Sequence, residues 1–309
     1  MRGRPTTATE PEQLEQAAEG ARRLAVLLGA GLDPLSAVKA LASSVHPLAV
    51  AAGCESPNDV PDAIRVALDG QPGALRTAWR LLSVQWELAM VSGAPVADAL
   101  ARTADALSAL ADAGRQADAA LAGPLATARI VALLPLAGVM LGLAIGADPF
   151  GVLLGTVPGA LAGLAGAALL AAGRRWNRRL VEAARQVEPL AGMGAELLAA
   201  ALGGGVPPAR AVELAEAAAH RGGLELSAQL EAAREVLDFA VRTGVPAAEL
   251  LRAEAVRVRR TELADALRRA ALLGSRLLAP LGLCFLPAFV LLGVVPLVVG
   301  ILRDALSAF

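Results

Sequence analysis

Residues able to do chemistry are few in this chain, and they are scattered. Lys39 is the sole lysine and stands between Val38 and Ala40, outside any Gly-Lys-[Ser/Thr] run, so no phosphate-cradling loop is encoded. His46 and His220 lie far apart in the sequence, and no HExxH spacing occurs around either. His46 precedes Pro47, a context that reads as a solvated loop. Cys54 borders a polar stretch and Cys284 lies in an apolar run; with no CxxC present, neither a redox pair nor a disulfide is expected. A GxSxG elbow is also missing. No nucleophile–base pair or metal constellation can be assembled, so the expectation is a non-enzymatic protein with no cofactor and no metal.

Glycine and proline carry the recurring pattern instead. The run from Gly29 and Gly31 through Pro34 to Val38 resembles the run from Gly203 and Gly205 through Pro208 to Val212, an offset of 174 between Gly29 and Gly203. Ser92-Gly93-Ala94-Pro95 resembles Thr243-Gly244-Val245-Pro246, an offset of 151. Leu134-Pro135 matches Leu286-Pro287, an offset of 152. Three matches in order predict a duplication, with roughly 22 extra residues in the first copy around Glu55–Asp59. In each copy a Leu/Ala-rich helix ends at glycines that supply a left-handed cap, and Pro34 or Pro208 opens the next helix. A later amphipathic helix ends at Gly93 or Gly244, and Pro95 or Pro246 begins another that runs on toward an apolar stretch. Leu75, Trp79, Leu82 and Trp86 recur at helical spacing and mark a core face of the first copy.

The elements that hold these turns are helices. Hydrophobic residues make up 56% of the 309 and aromatics only 3%, with no Tyr, so strands are disfavoured and membrane spans are to be sought. Three stretches lack charge over membrane length: Ile130–Ala147, Pro149–Gly173 and Leu277–Leu302. Asp148-Pro149 separates the first two as a tight turn. Arg174, Arg175, Arg178 and Arg179 follow the second span, and Arg259, Arg260, Arg268, Arg269 and Arg276 precede the third. The positive-inside rule then puts Met1–Arg129 and Arg174–Arg276 in the cytoplasm, and the hairpin tip and tail outside. Gly138, Gly142 and Gly146, then Gly151, Gly155, Gly159 and Gly163, recur every fourth residue and predict close helix packing. Pro135, Pro158, Pro287 and Pro296 predict kinks. The expected organisation is a flexible N-terminus 1–20, a helical module 21–124, a transmembrane hairpin 125–173, a second helical module 174–276, a third span 277–302 and a short tail 303–309. The N-terminal residues contain no apolar run of the kind a cleaved signal peptide carries.

The layout of module, span pair, module and span, with Gly-x-Gly-[Leu/Val]-x-Pro-x-x-Ala-Val and then [Ser/Thr]-Gly-x-Pro in each module, resembles the type II secretion system F-domain family. That family includes the inner-membrane F proteins of type II secretion, the type IV pilus platform proteins and the tight-adherence (Flp pilus) proteins TadB and TadC. The resemblance covers nearly the whole chain after Gly20 and rests on Gly29, Gly31, Pro34, Gly93, Pro95, Gly203, Gly205, Pro208, Gly244 and Pro246. Met90 and Val241 stand where many members carry an acidic residue, which points to the Tad-like branch. It implies a platform in the cytoplasmic membrane that couples a cytoplasmic secretion ATPase to pilin or pseudopilin subunits. It also implies assembly with further platform subunits.

Charge adds little to this. Net charge is -1, so no nucleic-acid partner is expected, whereas the lipid bilayer is. The arginines at 174–179 read as a topology anchor, with anionic lipid or an acidic ATPase surface as the other reading. Glu213, Glu216, Glu225, Glu231 and Glu235 suit a basic partner or solvent equally. The competing class is a small oligomeric transporter or channel component, disfavoured because the spans hold no central charge.

Overall fold

The computed structural model describes residues 8–68, 70–71, 73–144, 151, 155, 157–185 and 188–299, and the described residues are helices joined by short turns. In order they are α1 (Glu10–Gly29), α2 (Pro34–Leu41), α3 (His46–Ala51), a 3-10 turn (Pro57–Asp59), α4 (Val60–Ala67), α5 (Gly73–Ser92), α6 (Val96–Ala144), α7 (Val157–Arg185), α8 (Met193–Gly203), α9 (Pro208–Arg221), α10 (Ser227–Thr243) and α11 (Ala247–Pro280). Helical structure continues past α11 to Val299. Asp148-Pro149, Gly146 and the tail 303–309 lie outside the described residues.

The helix α1 begins well before the expected end of the N-terminal tail. Glu12 accepts a 2.8 Å hydrogen bond from the Thr9 amide, closing the first turn, and Leu14, Ala17 and Ala18 are already buried. Burial of an apolar face makes 10–20 helical, where a flexible N-terminus is expected from the sequence.

Two compact units arise. The first combines Met1–Arg115 with Val187–Ala264; the second combines Gln116–Gln186 with Asp265–Phe309. The unit limits therefore fall inside α6 and α11, not at the expected 124 and 276.

In the first unit one apolar core joins α1–α5 to α8–α10. Trp79, Leu82 and Trp86 are buried on α5 as their spacing predicts, and Leu75 is half-buried. A second face of α5, carrying Leu81, Val84 and Leu88, is buried as well. Gly194 explains how α8 comes so near α10: a Cβ there would sit 2.6 Å from the Gln229 carbonyl carbon.

The second unit contains three helical segments long and apolar enough to cross a membrane, within Val96–Ala144, Val157–Ala184 and Ala247–Val299. Many of their large side chains face outward: Ile130, Leu133, Met140, Leu161, Leu164, Leu278, Leu283 and Leu286 are all exposed. Leu121, Ala128, Ala184, Ala270, Leu273 and Leu277 form a small buried cluster, and glycines allow close approach further along the segments. A Cβ on Gly138 would stand 2.8 Å from the Phe289 ring, and one on Gly173 2.7 Å from the Phe285 ring. Gly166 similarly admits Leu292. On α7 the buried glycines are Gly159, Gly166 and Gly173, one every seventh residue, whereas Gly151 and Gly155 are exposed and Gly163 is half-buried. The fourth-residue stripe thus shares only Gly159 with the buried face; Gly142 is buried on α6. The third segment departs from α geometry over Leu281–Phe285 and Val290–Val294, which are π-helical. These turns flank Pro287, whose missing N–H interrupts the regular ladder.

Candidate functional site

The motif glycines and prolines are turn-formers in both halves. Gly31 and Gly205 hold φ of 89° and 82°, and Gly93 and Gly244 hold 80° and 73°. Each is in the left-handed region that an L side chain resists. At the first turn Leu32 donates to the Leu27 carbonyl and Gly31 to Leu28, at 3.1 and 3.0 Å, which closes α1. Gly29 and Gly203 are the last residues of α1 and α8. Asp33 caps α2 by accepting from the Leu35 and Ser36 amides, and Pro34 is its first residue. Pro208 opens α9 in the same way. Pro95 and Pro246 precede α6 and α11, and their carbonyls accept from Ala99 and Leu250 at 3.1 Å. Arg174, Arg175, Arg178 and Arg179 are exposed near the end of α7. His46, at the start of α3, and His220 are exposed, and no group of metal-ligating side chains occurs among the described residues.

Glu87 links the two halves of the first unit. Its carboxylate accepts from Arg65 of α4 at 3.0 Å and from Arg221 of α9 at 2.6 Å, and it is mostly buried. Each guanidinium supplies a charge-assisted hydrogen bond, so this carboxylate contributes more than an ordinary surface pair.

The same unit holds a cleft of about 390 Å³, formed by α6, α8 and α11. Arg252, Val256, Arg259, Arg260 and Leu263 fall on one face of α11, and Arg102, Ala106, Ala109 and Ala113 on one face of α6. Glu196 enters from α8, where every residue from Met193 to Ala199 is buried. Gly192 lets α8 start this close to α11; its φ is 75°, and a Cβ would meet the Ala255 carbonyl oxygen at 2.6 Å. Arg259 and Glu196 pair at 3.7 Å, with side-chain exposures of 13% and 8%. Burial pushes the Glu196 carboxyl above the usual glutamate range, opposed by the charges of Arg259, Arg102 and Arg252. Burial lowers the Arg259 guanidinium below its ordinary value, opposed by Glu196. Arg259 Nη1 and Arg252 Nε are buried without a hydrogen-bond acceptor, a situation that costs about 1–3 kcal/mol for each such group.

This cluster was missed by spacing arguments, yet a signal existed. Glu196 is the only charged residue between Pro189 and Gly203, on a helix apolar on all sides, and a carboxylate there requires a buried cation. In the sequence Arg259 reads as one of the topology arginines ahead of the third span, because helical phase toward α8 is not visible from charge counting.

No family model, curated protein or solved structure matches this chain.

Proposed function

We propose that this chain is a multi-pass protein of the cell membrane that acts as a non-enzymatic platform in a Tad-like pilus or type II secretion machine. In this role it couples a cytoplasmic ATPase to pilin or pseudopilin subunits, alongside further platform subunits. One observation carries the reading: α6 and α11 both begin after a [Ser/Thr]-Gly-x-Pro turn, and each continues as helix into an apolar segment of membrane length. A duplication of the helical modules is part of the proposal. It is supported by the matching left-handed glycines and by the buried residues of α5 and α10 at the offset of 151. Trp79 pairs with Leu230, Leu82 with Ala233, Trp86 with Leu237 and Ala89 with Ala240. The arginines around 174–179 and 259–276 support a cytoplasmic location for both modules.

Two measurements test the reading. Alkaline phosphatase and fluorescent-protein fusions are expected to report residues 174–276 inside the cell and the tail outside. The solubilised chain is expected to retain a secretion ATPase on affinity purification, and deletion to abolish surface pili. Pili of normal number in the deletion strain, with no ATPase retained, would overturn the platform role.

A further inference from the structure

We infer that the cleft between α6, α8 and α11 is an anion site for the phosphate group of a small phosphorylated ligand. Four guanidiniums line it, those of Arg102, Arg252, Arg259 and Arg260, against two carboxylates, Glu196 and Asp105. Asp105 already has a cation outside the cleft lining: Arg22 of α1 lies 3.4 Å from it. Glu196 is therefore the one internal counter-charge, and it reaches ion-pair distance of Arg259 alone. Arg102, Arg252 and Arg260 make no hydrogen bond or ion pair with a carboxylate among the described residues. Positive charge is concentrated in a concave space, and two guanidinium nitrogens of its lining arginines, Arg252 Nε and Arg259 Nη1, are buried without acceptors.

Ligand chemistry follows from donor geometry. Guanidinium forks approach from two helices, so an acceptor with three terminal oxygens engages more of them than a planar carboxylate does. The volume is in the range of small-ligand pockets. Ala106, Ala109 and Val256 form an apolar wall for the rest of the ligand, and no aromatic side chain lines the cleft to stack a base. A sugar phosphate, a glycerol phosphate or inorganic phosphate fits this description, and a phospholipid headgroup presents the same chemistry. This site stands whether or not the chain is a secretion platform.

The test uses the full chain in neutral detergent, titrated with inorganic phosphate and with glycerol 3-phosphate at constant ionic strength, and read by thermal shift and calorimetry. Saturable binding is expected. Arg102→Gln with Arg260→Gln, both at exposed positions, is expected to weaken it roughly tenfold or more. Glu196→Gln is expected to tighten it by freeing Arg259. Arg210→Gln on α9, which removes one charge remote from the cleft, is expected to change nothing. Nanodiscs with and without phosphatidic acid separate the sources: a shift confined to phosphatidic acid assigns the site to lipid headgroups. A response to phosphate no larger than to matched chloride, in the absence of a phosphatidic acid effect, would overturn the proposal. So would an equal loss of binding in Arg210→Gln.

Discussion

The first unit buries most of its large apolar side chains, whereas the apolar segments of the second leave many of theirs exposed. In the helices around α5, Trp79, Trp86, Leu88 and Leu107 are nearly inaccessible. In the apolar segments, Ile130, Leu164, Leu278 and Leu283 are more than half exposed, and Gly138, Gly166 and Gly173 make close contacts with Phe289, Leu292 and the buried Phe285. Both regions are built from Leu, Ala and Gly. The difference lies in solvent: water drives leucine inward, while lipid is as apolar as leucine and leaves close backbone approach to hold helices together.

The contrast can be broken at both ends. Trp86→Ala is expected to destabilise the first unit by about 3–5 kcal/mol, read by denaturant unfolding of the solubilised chain. Leu283→Lys, at an exposed position, is expected to cost about 2.5–3.5 kcal/mol of insertion in a translocon assay. Val66→Lys on α4, equally exposed, is expected to stay within about 0.5 kcal/mol. If both lysines were harmless, the outward leucines would not be facing lipid.

Smaller effects sharpen the comparison. Gly173→Ala forces the Phe285 ring aside and is expected to cost about 1–3 kcal/mol, whereas Gly155→Ala meets nothing within 4 Å and is expected to be neutral. Heat-stability profiles of the two variants in detergent decide this. Gly31→Ala, held at positive φ in open space, is expected to cost about 1 kcal/mol through backbone strain alone.

The smallest effect is on pH. Burial raises the Glu196 pKa in the folded chain, so the protonated form is the better folded one. That contribution is complete below the ordinary glutamate pKa and is lost as pH rises through the higher native value. Glu196→Gln is expected to flatten this part of the stability–pH curve, and carboxyl NMR of the wild type should show a midpoint above 4.5. A midpoint at or below 4.5 would mean that the arginines outweigh burial.

Much of this architecture was legible in the sequence because it rests on local rules. A run of uncharged residues, a glycine before a proline and a tryptophan pair at helical spacing each act within a few residues of themselves. The lower boundary of α1 was not legible, since 10–20 becomes a helix only by burying Leu14 and Ala17 against distant residues. The glycines of α7 that pack within the chain were not legible for a related reason. Several glycine periods coexist in Gly151–Gly173, and the partner helix selects the sevenfold one. The Arg–Glu cleft was invisible except for the isolated charge of Glu196.

The sequence by itself determined that the chain is helical, where three apolar segments run and where its turns fall. These follow from backbone propensity and from the cost of placing charge or open backbone in lipid. Only the tertiary structure decided that α5 would bury a second face, that Glu87 would join α4 to α9, and that Arg102 and Arg259 would share a cleft with Glu196. Each of those depends on the relative rotation of helices far apart in the chain. That rotation is set by many weak packing contacts at once, and no local pattern records it.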